Sequence, residues 1–230
     1  MKTFLRVLPA ILTCIFSQAL ALAQEESVKP GINDAYEKTT VEEKVEQFER
    51  ADRDVVQKEN EIIDACRLEP GMDVADVGAG TGLFTRLFAT VVGSKGKVYA
   101  VDITRKFIEH IEKTCSEQDI KNVIGVVCTP DSTELKPKSV DLVFTCDTYH
   151  HFEYPQKMLA SIHQALRPGG RLIIIDLKKT KAESSKGMKG HIRADKNTVI
   201  EEVTEARFKL IDELPLMEKQ YVLRFEKEQE

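Results

Sequence analysis

The sequence predicts an α/β protein whose doubly wound, mostly parallel sheet ends in an antiparallel strand pair. Short apolar, strand-like runs alternate with helical patterns over residues 41–177, which is typical of a parallel sheet covered by helices on both faces. Further along, only residues 215–220 separate the strand-like runs 208–214 and 221–225. Such a short connection cannot cross over the sheet, so we expect these two strands to be antiparallel.

The individual elements follow from the spacing of apolar residues. Residues 41–68 carry apolar side chains at helical spacing among alternating charges, and the Glu-Pro-Gly sequence at 69–71 ends the helix. The spacing predicts further helices at residues 83–92, 105–115, 156–166 and 196–206, and strands at 72–77, 97–101, 123–128, 140–146 and 171–177. The sequence RPGG at 167–170 predicts a turn before the last of these strands.

Length and composition indicate one globular domain. The chain has 230 residues, of which 42% are hydrophobic and 31% charged, and its formal net charge is −5. A negative charge argues against a nucleic-acid partner, because affinity for nucleic acid comes largely from neutralising phosphates. Beyond residue 23 the cysteines match no CxxC or zinc spacing, so we expect four free thiols, at Cys66, Cys115, Cys128 and Cys146.

The first 23 residues have the features of a secretory signal peptide. Lys2 and Arg6 make a basic start, residues 7–20 are mostly apolar, and residues 21–23 supply small side chains at the expected cleavage positions. The polarity changes abruptly at Gln24. We therefore expect cleavage before Gln24 and export of the protein to the periplasm or the exterior.

This interpretation divides the chain into a signal peptide at residues 1–23, a flexible lead-in at 24–40 and one domain at 41–230. The alternative is an uncleaved N-terminal segment that anchors the protein to the membrane. Stable membrane insertion is not expected if the signal is cleaved, and the apolar run, which Pro9 interrupts, is short for a membrane-spanning helix. The sequence does not indicate an oligomeric state.

A glycine-rich loop follows the first predicted strand. Residues 76–82 read DVGAGTG and open the next helix, and glycine suits a turn where a ligand approaches the backbone closely. A dinucleotide-binding loop would read GxGxxG, but its last position is Leu83 here. Asp102 ends the second strand about 20 residues later, where an acid can accept hydrogen bonds from ribose hydroxyls.

Together with the runs at 141–144 and 167–170, these features resemble class I S-adenosylmethionine-dependent methyltransferases. The resemblance covers roughly residues 45–228 and implies a Rossmann-like fold with S-adenosyl-L-methionine as cofactor. It implies that the glycine loop contacts the methionine moiety, that Asp102 holds the ribose, and that further acids lie near the cofactor's amino group and adenine. The implied cofactor-binding residues are Asp76, Gly78, Ala79, Gly80, Gly82, Asp102, Asp131 and Asp147.

The segment after the fourth strand is where the resemblance places the transferred methyl group. Tyr149, His150 and His151 are the expected catalytic residues, and the adjacent histidines resemble those of ubiquinone- and menaquinone-biosynthesis-type methyltransferases. One histidine could remove the acceptor's proton, since its ordinary pKa suits that task. Two alternatives are a role in shaping the pocket and a metal site. No second ligand cluster is visible in the sequence, so no metal is assigned.

A basic loop precedes the helix predicted at 196–206. Lys181, Lys186 and Lys189 lie in it, and His191 and Arg193 follow. It is either a lid, with Arg193 or His191 holding an acidic or carbonyl group of the acceptor, or a solvated surface loop. Phe48 and Arg50 are a further hypothesis for the far wall of the pocket, although packing and surface charge explain them as well.

The sequence therefore predicts an exported enzyme that transfers a methyl group to a small-molecule acceptor. The Asn-Pro-Pro-Tyr signature of nucleic-acid N-methyltransferases is absent, which favours small molecules. A non-catalytic, methyltransferase-like binding module of the cell envelope is the alternative, because S-adenosylmethionine is made in the cytosol. An NAD-dependent oxidoreductase is a more distant alternative, since Leu83 replaces the last glycine and no Tyr-x-x-x-Lys pattern is present.

Overall fold

A computed structural model describes residues 24–179 and 191–229 of the chain. The predicted signal peptide at residues 1–23 and the basic loop residues Lys181, Lys186 and Lys189 lie outside these residues. The helices are α1 Asp34–Lys38, α2 Val41–Phe48, α3 Asp54–Gln57, α4 Glu59–Cys66, α5 Leu83–Val92, α6 Arg105–Glu117, α7 Pro155–Ala165 and α8 Lys196–Glu205. The strands are β1 Asp73–Val77, β2 Lys97–Asp102, β3 Val123–Val127, β4 Val140–Cys146, β5 Leu166–Leu177, β6 Phe208–Glu213 and β7 Gln220–Lys227.

Within the described residues the strands form one sheet in the order β3-β2-β1-β4-β5-β7-β6. Strands β1 to β5 pair in parallel, whereas β7 pairs antiparallel with both β5 and β6. The predicted Rossmann-like fold, with its mostly parallel sheet and terminal antiparallel pair, is confirmed. The strand order reverses between β1 and β4, and open α/β sheets bind ligands beyond the carboxyl ends of the strands at such a point.

Helices cover both faces of the sheet, and each face has its own apolar core. On one face, Phe84 and Phe88 of α5 pack with Ile62 of α4 against strand residues such as Val74. On the other, Leu159 of α7 belongs to a cluster that includes α8 and the sheet. Burying each such side chain stabilises the fold by roughly 1.5–3 kcal/mol, which is why the parallel strands read as nearly continuous apolar runs.

The helix predicted over residues 41–68 is wrong, because the structure has three shorter helices there. Helix α2 ends at Phe48, and the Arg53 guanidinium donates a hydrogen bond to the Phe48 carbonyl oxygen. This contact satisfies a carbonyl that the helix end leaves without a partner. The apolar spacing continues across the break, so periodicity alone does not detect it.

The turn predicted at 167–170 lies inside an irregular part of β5. The register against β4 jumps from Leu166 opposite Val140 to Arg171 opposite Leu142, so the intervening residues bulge out of the ladder. Within the described residues no helix has the length and apolar character needed to cross a membrane.

Candidate functional site

A cavity opens at the carboxyl ends of β1, β2 and β4, where the strand order reverses. The volume of this cavity, including its open mouth, is about 1070 Å³. Six of the predicted cofactor-binding residues line it, together with one of the predicted catalytic residues. These are Asp76, Gly78, Ala79, Gly80, Asp102, Asp147 and His151.

The glycine loop turns sharply between β1 and α5. The backbone N–H groups of Gly78 and Ala79 both donate to the Val101 carbonyl, at 2.8 and 3.1 Å, which ties the loop to β2. Gly78 has a φ of +76°, and a Cβ added there would lie 2.1 Å from Cγ2 of Thr148. A side chain at this position would therefore meet both backbone strain and steric overlap. Gly82 precedes α5 and does not line the cavity.

Asp102 organises the backbone around the loop. One carboxylate oxygen accepts from the Gly80 N–H at 2.9 Å, and the other accepts from the Thr104 N–H at 2.8 Å. The side chain is buried, and burial raises its pKa above the ordinary value of an aspartate. Each oxygen keeps a further lone pair, so this carboxylate can also accept hydrogen bonds from a ligand in the cavity.

Asp76 lies beneath the same loop and is 3% exposed. Its carboxylate accepts a hydrogen bond from the Thr85 hydroxyl at 2.6 Å. Burial raises the pKa of Asp76 to about 7, and the Thr85 hydrogen bond only partly offsets this rise. A cationic ligand in the cavity would favour the ionised form of this group.

Asp147 follows β4 in a left-handed conformation, with a φ of +49°. Its Oδ2 accepts from the Arg53 guanidinium at 2.6 Å, whereas its buried Oδ1 has no hydrogen-bond partner among the described residues. Burial, followed by the nearby Asp176, raises the pKa of this carboxyl. A buried acceptor without a partner is costly, and the cationic amino group of a ligand would satisfy it.

The three predicted catalytic residues form a short 3-10 turn, Tyr149–His151, and point in different directions. The Tyr149 hydroxyl donates to Glu202 at 2.6 Å and does not reach the cavity. His150 is also absent from the cavity wall, because its Nδ1 bonds Asp176 at 2.7 Å. His151 lines the cavity, and its Nε2 lies 3.2 Å from the Tyr36 hydroxyl.

Burial, followed by the neighbouring His150 and His191, lowers the pKa of the His151 imidazole to about 3. The ring is therefore neutral near pH 7. A neutral imidazole with so low a pKa is a weak base, and this property favours a role in positioning over proton removal.

Some predicted residues lie away from the cavity. The Asp131 carboxylate accepts from the Thr129 hydroxyl at 2.9 Å and lies 3.5 Å from the Lys157 ammonium, while the adjacent Pro130 lines the wall. Arg193 makes two hydrogen bonds of 2.8 Å to Glu202. Arg50 pairs with Asp52 at the surface, whereas Phe48 lines the cavity as expected.

The N-terminal segment contributes residues that sequence reasoning missed. Asn33 and Tyr36 line the cavity, and the Asn33 amide donates to the His151 carbonyl at 3.2 Å. No motif marks these residues. Two charged residues were missed as well: Arg53, which pairs with Asp147, and Asp176, which holds His150. Asp176 lies near the carboxyl end of β5, a position that could have flagged it.

Comparison with known proteins identifies the domain. Residues 75–174 match the family described as "Methyltransferase domain". This match supports the predicted resemblance to the class I S-adenosylmethionine-dependent methyltransferases. S-adenosylmethionine is the cofactor that this family indicates, and the cavity offers a glycine loop, buried carboxylates and an unpartnered Asp147 oxygen that fit it.

Among curated proteins, the chain is similar to ubiquinone/menaquinone biosynthesis C-methyltransferases UbiE. That of Wigglesworthia glossinidia brevipalpis is 27% identical over 48% of this chain and 44% of its own length. That of Shewanella piezotolerans is 28% identical over 52% of this chain and 48% of its own. The chain thus spans less than half the length of the curated relatives it matches.

Solved structures share the fold at lower identity. A SAM-dependent methyltransferase from Aquifex aeolicus superposes with a TM-score of 0.71 and 22% identity, covering 82% of this chain and 98% of that one. The [4+2]-cyclase SpnF superposes with a TM-score of 0.64 and 14% identity, covering 74% and 80%. Likeness at these identities shows the fold and not the reaction.

Proposed function

We propose that this protein is an enzyme that transfers a methyl group from S-adenosylmethionine to a small-molecule acceptor. The observation that carries the proposal is that the glycine loop, Asp102 and Asp147 face the same cavity as His151. A cofactor held by the first three would present its reactive end toward the segment that follows β4.

In this proposal different residues of the chain bind different parts of the cofactor. Asp102 accepts hydrogen bonds from the ribose, and the loop at Gly78 and Gly80 admits the methionine part because no side chains fill it. Asp147 and, behind the loop, the buried Asp76 favour the cationic amino group. The adenine lies toward the segment that contains Pro130 and Asp131.

S-adenosylmethionine supplies a methyl group already activated by its sulfonium, so the protein's task is mainly to position the acceptor in line and exclude water. His151 is suited to positioning because it is neutral, lines the cavity and is held by Tyr36. Tyr149 fixes the turn through Glu202. General-base catalysis by His150 or His151 stays a prediction.

The acceptor that fits best is a small molecule with an apolar or aromatic body. Aromatic and thioether side chains line the cavity alongside the polar groups; these are Phe48, Phe84, Phe107, Phe152 and Met158. Such walls favour apolar ligands, with a few polar groups to fix their orientation. The similarity to ubiquinone/menaquinone biosynthesis C-methyltransferases is consistent with a ring-containing acceptor.

We also propose that the protein is exported after cleavage before Gln24. The composition of residues 1–23 is the main support. In addition, the Gln24 side chain accepts from the Gln156 N–H at 3.1 Å and donates to the Glu153 carbonyl at 3.4 Å, so the chain contacts the domain from this residue onward. N-terminal sequencing of the protein from the extracytoplasmic fraction should begin at Gln24, and an intact Met1 would contradict the proposal.

The cofactor assignment is tested by calorimetric titration of the purified protein with S-adenosylmethionine and NAD in parallel. We expect binding of S-adenosylmethionine alone. Gly80→Val, whose new side chain would enter the cavity beside Phe48, should abolish this binding. Binding of NAD in place of S-adenosylmethionine would favour the oxidoreductase alternative.

Methyl transfer itself is tested with methyl-labelled S-adenosylmethionine and a panel of small phenols, quinols, thiols and carboxylic acids. Label in an acceptor, lost in Gly80→Val, supports the enzyme. Tight cofactor binding without label transfer to any class would favour the non-catalytic binding module. It would also fit a different reaction on the same fold, which the [4+2]-cyclase SpnF shares.

A further inference from the structure

Three histidines meet beside the cavity, although one of them is distant in sequence. His150 and His151 belong to the turn after β4, and His191 precedes α8. The ring centroids of His150 and His151 are 4.2 Å apart, and His191 lies 5.0 Å from each. Each ring offers one nitrogen atom, and these three nitrogens lie within 4.8 Å of one another.

Other groups hold the two buried rings and leave one nitrogen of each unused by these contacts. Asp176 accepts from the His150 backbone N–H at 2.9 Å and bonds its Nδ1 at 2.7 Å, which directs Nε2 of that ring elsewhere. Tyr36 bonds Nε2 of His151, and Nδ1 of His151 is buried with no hydrogen-bond partner among the described residues. An imidazole held by a carboxylate through one nitrogen is the usual arrangement of a histidine that binds a metal through the other.

Packing alone does not explain this cluster. His150 and His151 are 3% and 8% exposed, so protonation of both rings would place two positive charges side by side with little solvent. With neutral rings, Nδ1 of His151 is still a buried polar atom without a hydrogen-bond partner among the described residues, which is unfavourable. A bound cation would satisfy this nitrogen and requires the neutral form of all three imidazoles.

We propose that His150, His151 and His191 bind one divalent transition-metal ion of the Zn²⁺ type. Tetrahedral Zn²⁺ with Zn–N bonds of about 2.0–2.1 Å needs nitrogens about 3.3 Å apart, so each ring has to move by roughly 1 Å or less from the observed separation. Imidazole ligands suit Zn²⁺ and its transition-metal neighbours, whereas Mg²⁺ takes oxygen ligands. Three protein ligands leave a fourth position open, as in catalytic rather than structural zinc sites.

The site adjoins the cavity, because His151 contributes to both. Metal binding does not depend on the proposed methyl transfer, and it can be measured with no cofactor or acceptor present. No metal is assigned from the sequence, because the three histidines do not form a cluster there. The fold brings them together. Helix α7 and strand β5 come between the two histidine segments along the chain.

The test uses the protein without an affinity tag, freed of metal by a chelator and titrated with Zn²⁺ by calorimetry. Co²⁺ in its place should give the visible absorption of a four- or five-coordinate ion. We expect one equivalent to bind the unmodified protein. His191→Ala should weaken Zn²⁺ binding at least tenfold. Loss of a group that only hydrogen-bonds a metal ligand already weakens metal binding about 10–100-fold, and loss of a ligand should do at least as much. His191 is exposed, so this variant should keep the fold.

The chain supplies matched controls. His110→Ala and His163→Ala remove the other two histidines, neither of which belongs to the cluster, and they should bind Zn²⁺ as the unmodified protein does. Asp176→Asn should weaken binding about 10–100-fold, because Asp176 orients His150. Failure of the unmodified protein to bind Zn²⁺, or equal binding by His191→Ala, would overturn the proposal. Circular dichroism checks that each variant is folded.

Discussion

Replacing Gly78 by Ala should destabilise the protein for two separable reasons. The backbone there has a φ of +76°, and a left-handed conformation costs a residue with a Cβ about 1–2 kcal/mol. The new Cβ would also lie 2.1 Å from Cγ2 and 2.5 Å from Oγ1 of Thr148. Relieving such an overlap in a packed region costs about 1–3 kcal/mol, so we expect a total loss of roughly 2–5 kcal/mol.

Gly169 supplies the control for the first contribution. Its φ is +72°, and nothing lies within 4 Å of an added Cβ, so Gly169→Ala should cost only the backbone strain of about 1–2 kcal/mol. The chain has no tryptophan, so urea unfolding is best followed by far-ultraviolet circular dichroism. Combining Gly78→Ala with Thr148→Gly should recover about 1–3 kcal/mol as coupling energy. Equal losses for Gly78→Ala and Gly169→Ala, with no coupling, would refute the reasoning.

Three further predictions concern charged groups. Asp102→Ala should lower the affinity for S-adenosylmethionine by roughly 2–4 kcal/mol in calorimetry, and an unchanged affinity would mean that the ribose lies elsewhere. Because the pKa of Asp76 is about 7, a cationic ligand that needs its ionised form should bind about tenfold more weakly at pH 6 than at pH 8. Asp76→Asn should remove this pH dependence of the affinity. If the affinity of that variant still changed with pH, the titrating group would be another residue. Arg53→Ala should lower the free energy of unfolding in urea by about 1–3 kcal/mol, because it leaves the buried Asp147 without its cation. Arg50→Ala removes an exposed ion pair and should lower it by less than about 1 kcal/mol. Equal losses in the two variants would contradict this account.

Local sequence patterns predicted most of the fold. The bounds of α5 and β4 agree residue for residue with the runs predicted at 83–92 and 140–146, because apolar periodicity directly reflects which face is buried. The parallel sheet and the antiparallel end followed from connection lengths. The break after Phe48 did not, since the apolar spacing continues across it, and the Arg53 side chain that bonds the last carbonyl oxygen of the helix carries no local signal.

The site was predictable only where it lies on one continuous segment. The glycine loop and Asp102 are marked by spacing that a strand, a turn and a helix impose. Which of two adjacent histidines lines the cavity depends on the turn that contains them, and the contact of His191 with both depends on how α8 packs. Contacts of this kind join residues far apart in sequence, and no local sequence pattern predicts them.

The position of β7 has a consequence for how the protein is made. This strand is synthesised after β6, yet it lies between β5 and β6 in the sheet. Until residues 220–227 join the sheet, β6 has no neighbouring strand to pair with, and the outer side of β5 presents unpaired backbone groups. A chain truncated before residue 220 would therefore expose an unpaired strand edge that other chains can pair with, and β7 covers that edge of β5.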